Sequence, residues 1–90
     1  MTKNNTEIAS LAMDLKRVAL GFYSGSNKMA RRFSQEALKR KSEISKQDLK
    51  PYLLKFLQKL PKILKQKDEK KLAEDALMYS TIFQNYSLNN

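Results

Sequence analysis

The chain has 90 residues, 41% of them hydrophobic, with two glycines and two prolines; that composition argues against disorder and bounds it at one small domain, residues 1–90. It carries no cysteine and no histidine, which excludes disulfides, thiolate metal sites, a Cys nucleophile, and the commonest general base and metal ligand. Eighteen Lys and Arg against nine Asp and Glu leave a net charge of +9, which favours anionic partners such as nucleic acid, an acidic protein or an anionic membrane face.

The polar start, Met1 to Glu7, does not read as a signal peptide. The longest apolar run, Val18 to Tyr23, is interrupted by Gly21 and falls far short of a membrane span. The expectation is a cytoplasmic protein.

The first predicted helix covers 7–22, capped by Thr6 or Asn5. Ile8, Leu11, Ala12, Leu15, Val18, Ala19 and Phe22 follow the i, i+3, i+4, i+7 rule throughout. Met13 and Leu20 lie off that stripe, with Arg17 between them. Either a neighbouring helix partly covers them, as is more usual, or they belong to a contact surface.

Tyr23 to Asn27 reads as a turn, with Gly25 at positive φ and Ser26 or Asn27 capping the next helix. A Gly-Ser loop entering a helix can hold a phosphate. This one lacks P-loop spacing and follows a helix, not a strand.

The second helix covers 28–44. Met29, Ala30, Phe33, Ala37 and Ile44 form its inner face, and the small Ala30 and Ala37 invite a close partner helix. Its outer face carries Lys28, Arg31, Arg32, Gln35 and Lys39. Glu36 is spaced to pair with Arg32 and Arg40, and Lys39 with Glu43, each pair contributing a few tenths of a kcal/mol.

The third helix covers 49–65 and is the most apolar stretch, so the other helices read as packed around it. Leu53, Phe56, Leu57, Leu60, Ile63 and Leu64 share one face, widened by Tyr52 and Leu54. Lys55, Lys59 and Lys62 lie opposite. With Asp48 as N-cap, Pro51 falls in the first turn; Pro61 is interior and predicts a kink or a break.

The fourth helix covers 69–86 behind an Asp68 cap. Leu72, Ala73, Ala76, Tyr79, Ser80, Phe83 and Tyr86 face inward, Leu77, Met78 and Ile82 broaden the apolar surface, and 87–90 should fray.

Four helices with short connections predict an all-α, antiparallel, up-and-down four-helix bundle. The fallback is three helices with a broken central one.

The carboxylates do not assemble a catalytic or di-metal set. Asp48 and Asp68 are better explained as caps, adjacent Glu74 and Asp75 diverge on a helix, and only Glu36 sits near an inner face. The chain reads as a non-enzyme with no cofactor, no metal and no small-molecule substrate. Two binding hypotheses remain. In the first, Lys28, Arg31, Arg32 and Lys39, then Lys55, Lys59 and Lys62, contact nucleic acid phosphates without reading bases, or meet an acidic protein. No aromatic is clearly interleaved with these lysines, so base stacking is not indicated. In the second, Met13, Leu20, Leu77, Met78 and Ile82 form a protein interface or a homodimer, with incidental charge.

Overall fold

The computed structural model describes residues 3–47 and 49–89. Four helices follow one another: α1 (Lys3–Tyr23), α2 (Asn27–Glu43), α3 (Pro51–Leu64) and α4 (Glu69–Asn89). Among the described residues there is no strand. Connections of three, seven and four residues make each helix run back along its predecessor. α1 lies against α2 and α4, α3 lies against the same two, and α1 and α3 sit diagonally across the core. This is the up-and-down bundle that the spacing predicts.

The inner faces come from the predicted stripes. On α1, Ile8, Leu11, Ala12, Leu15, Val18 and Ala19 are buried and Phe22 is packed against them. On α3, Leu53, Leu57, Leu60 and Leu64 are buried. On α4, all seven expected residues are buried.

The bundle is organised around α1, not around the apolar third helix. The backbone of α1 comes close to those of α2 and of α4, and α3 stands further off from both of its neighbours. Side-chain size explains this. Gly21, Ala30 and Ala37 lie along the α1/α2 seam, and Ala12, Ala19, Ala73, Ala76 and Ser80 along the α1/α4 seam. The Ser80 hydroxyl reaches across to donate to the Ala12 carbonyl at 2.9 Å. α3 instead presents Leu and Phe, which hold its backbone away while filling the core.

Several boundaries differ from the periodicity. α1 continues through Thr6 and Asn5 to Lys3, so neither residue caps it. The extra turn is tied to the far end of α2: the Asn4 side chain donates to the Ser45 carbonyl at 3.1 Å and accepts from the Ser45 N–H at 3.2 Å. α4 continues to Asn89 because Ser87 is buried and its hydroxyl bonds back to the Gln84 carbonyl. The frayed tail is therefore helical as far as Asn89; Asn90 lies outside the described residues.

α3 begins at Pro51, behind an extended Lys50. A residue before proline is pushed out of the α region, and proline itself suits the first helical position. Asp48, expected as the cap, lies outside the described residues. The helix passes through Pro61 without a break, and Lys65 N–H bonds to the Pro61 carbonyl at 3.2 Å. Leu57 and Leu60 before the proline and Leu64 after it are all seated in the core. That anchoring offsets the backbone bond lost at an interior proline.

The turn chemistry matches the residues. Gly25 has φ of 81°. Ser26 N–H bonds to the Gly21 carbonyl and Gly25 N–H to the Phe22 carbonyl, a Schellman closure of α1. Ser26 then caps α2, without a side-chain bond. Asp68 caps α4, accepting from the Lys71 N–H at 3.1 Å.

Candidate interaction surfaces

Inside the α1/α2 seam lies the carboxylate that sequence spacing assigned wrongly. Glu36 is exposed, whereas Asp14 is 4% exposed. Arg40 crosses from α2 to meet it, Nε to Oδ2 at 3.4 Å, and reaches Glu7 at 3.6 Å; Arg17 approaches Asp14 at 3.7 Å. Neither Glu36 nor Glu43 forms an ion pair within 4 Å among the described residues, so the expected pairs with Arg32, Arg40 and Lys39 are not made. Arg40 is drawn inward because two carboxylates sit a heptad apart on the facing helix. Arg17 also stacks over Phe33 at 5.3 Å.

Burial lifts the Asp14 carboxyl above its ordinary value of 3.8, against the opposing pull of Arg40 and Arg17. Burial works against the Arg40 cation, and Asp14, Glu7 and Glu43 outweigh it, so that guanidinium is held above its ordinary value. The folded state thus binds the Asp14 proton more tightly than the unfolded chain. A raised carboxyl pKa makes stability fall as pH climbs from 3.8 through the folded value, and the loss is complete above it. Asp14→Asn carries no such titration. The difference in urea midpoint between Asp14→Asn and the parent chain should move in the variant's favour as pH rises from below 3.8 to neutrality. Movement in the parent's favour would show that the Arg40 pairing outweighs burial.

The predicted cationic residues are all exposed. Arg31 is engaged: its guanidinium meets Glu69 at 3.0 Å, and Asn27 donates to the same carboxylate at 3.3 Å. A phosphate at the start of α2 would therefore compete with Glu69. Among the described residues, Arg32 is the arginine without an ion pair, and Lys71 is the one lysine with a partner, Asp75. Lys28, Arg32 and Lys39 lie on the outer face of α2. Lys55, Lys59 and Lys62 lie on the outer face of α3, a different side of the bundle. One signal was readable in the chain but went unused: residues 49–67 hold six lysines and no carboxylate. All six are exposed. Tyr52, expected on the apolar arc, is 49% exposed one turn from Lys55, with its ring edge-on to Tyr86 at 6.1 Å.

The predicted apolar interface divides. Met13 is 55% exposed, Leu20 52% and Leu77 40%, all on the outer edge where α1 meets α4. No neighbouring helix buries Met13 or Leu20. Ala9, Met13, Lys16 and Leu20 recur at i, i+4, i+7 and i+11, and Leu77, Gln84 and Leu88 run antiparallel beside them. Met13, Lys16, Gln84 and Leu88 border a groove of about 330 Å³. Leu88 is 74% exposed; it was missed because the tail was expected to fray. Met78 is 51% exposed but lies about 100° round the helix from Leu77. Ile82 is packed against the core, on the side where Tyr79 and Tyr86 meet Phe56 and Tyr52 of α3. Met29, expected inside α2, is instead 41% exposed, beside Arg32 at the end of the bundle.

No helix is long and apolar enough to cross a membrane, and no cluster of three or more metal-ligating side chains occurs, among the described residues. No family model matches the chain, and neither a curated protein nor a solved structure matches it.

Proposed function

We propose that this chain is a non-enzymatic interaction module that receives a protein partner on the α1/α4 edge. The observation that carries the reading is a group of four large apolar side chains on this edge, Met13, Leu20, Leu77 and Leu88, each 40–74% exposed, of which Met13 and Leu88 border the groove. Large apolar side chains exposed singly are ordinary; four of them gathered on one edge beside a groove, with Lys16 and Gln84 set between them, are a mark of association. Methionine adapts to varied partners, and two parallel apolar rows suit a helix laid between them. The test is affinity capture with the intact chain and with a Met13→Ser/Leu77→Ser variant, alongside sedimentation of both. Each substitution should change unfolding free energy by no more than about 0.5 kcal/mol, because the side chains are exposed. The double variant should lose its partners or its self-association. Identical capture and identical sedimentation would refute the reading.

A second reading is favoured by the carboxylate-free stretch 49–67. Its lysines give α3 an outer face of one sign, suited to phosphate neutralisation on nucleic acid. Replacing Lys55, Lys59 and Lys62 with Gln should lower the log–log salt slope of mixed-sequence duplex DNA binding by about 2–3, at roughly 0.9 per phosphate contact. A slope unchanged by the triple variant would remove these lysines from any contact with nucleic acid.

A further inference from the structure

Resting on the interaction reading above, we infer that the α1/α4 groove takes an acidic amphipathic helix, and not a second copy of this chain. The groove floor is small-sided, formed by Ala9, Ala12, Ser80 and Ser87. Both hydroxyls are already used, Ser80 on the Ala12 carbonyl and Ser87 on the Gln84 carbonyl. The floor therefore asks for apolar side chains. A helix with apolar residues at i, i+4 and i+7 lays them along it.

The charge around the groove decides what flanks those residues. Lys16 stands in the middle of the α1 row, between Met13 and Leu20. Lys70 borders the next depression along the edge, beside Phe22, Tyr23 and Ala73. Glu69 in that depression is taken by Arg31 and Asn27. Glu74 is the one carboxylate left on the outer face of α4 near the row. A partner with carboxylates beside its apolar stripe meets Lys16 and Lys70, and the net charge of +9 draws it in.

A second copy meets the opposite field. A two-fold interface sets the same patch against itself. Both copies of Lys16 and of Lys70 would enter one interface, with Glu74 as the one carboxylate each copy brings near the row, and two chains of +9 would be brought together. Like charges placed opposite one another suppress such pairing.

The test is selection on the full chain from a displayed library of short helical peptides. Leu is fixed at i, i+4 and i+7, with Asp, Glu, Lys, Arg or Ser randomised between. Clones whose binding is lost on the Met13→Ser/Leu77→Ser variant should carry a clear carboxylate excess. Lys16→Glu should weaken them about tenfold or more. Groove-dependent clones without that excess would overturn the acidic partner and leave the interaction module standing. So would a dimer in sedimentation that the double variant dissociates. Finding neither groove-dependent clones nor self-association would overturn both.

Discussion

Gly21→Ala should destabilise this fold by about 1–3 kcal/mol, the usual cost of overpacking. Within a helix the same change ordinarily stabilises by roughly 0.5–1 kcal/mol. The sign reverses because of what the new methyl would meet. A Cβ at Gly21 would stand 2.9 Å from the Ala30 Cβ and 3.0 Å from its Cα and N. Two of those three atoms are α2 backbone, so no rotamer change relieves the contact; the helices must separate. α2 is not free to slide, because the Schellman closure at Gly25 fixes where it starts, and the Asn4–Ser45 pair fixes its far end. Separation would also stretch the Arg40–Asp14 contact. Urea unfolding of Gly21→Ala, Ala30→Gly and the double variant closes a cycle. The double variant should recover part of the loss, since Ala30→Gly removes the nearest atom and leaves the backbone. A gain of stability in Gly21→Ala alone would mean that the seam is looser than these distances.

That close approach shows where the sequence was legible and where it was not. Apolar periodicity placed the core because burial of a stripe is a local property of one helix. It found every inward residue of α4 up to Tyr86, missing the buried Ser87 beyond, and the Schellman glycine and the Asp68 cap followed from local backbone chemistry. What it missed depends on a second helix. Asp14 sits at a position flanking the stripe, and only the arrival of Arg40 from α2 turns it into a buried group. Glu36 looked paired because its i±4 neighbours are arginines, but Arg40 found two carboxylates across the seam and left it. The first turn of α1 required Ser45, forty-one residues away. For the candidate site, Met13, Leu20 and Leu77 were visible as residues in excess of one stripe. That Met78 and Ile82 belong to another side depends on which neighbours α4 meets, and Leu88 was hidden by the rule that termini fray.

Phe83→Ala should cost about 3–5 kcal/mol. A domain of this size has only about 5–13 kcal/mol to lose, so the fraction open to proteolysis should rise by at least about a hundredfold. Phe83 is fully buried and is the largest of the fully buried side chains. Its ring meets Tyr79 edge-on at 6.1 Å, and Tyr79 meets Phe56 of α3 at 5.2 Å. These aromatic contacts matter because α3 has few close backbone approaches to hold it. Truncation removes the inner end of that chain and leaves a cavity in the core. Phe83→Leu keeps most of the volume and should cost less than about 1.5 kcal/mol. The comparison that decides is with Leu77→Ser, on the same helix but on its exposed edge, where the change should be within about 0.5 kcal/mol. Unfolding midpoints ordered that way place the core inside the ring of helices and leave the α1/α4 row free for a partner. Equal losses at Phe83 and Leu77 would put the row in the core of the folded protein, and the proposed docking edge would not exist.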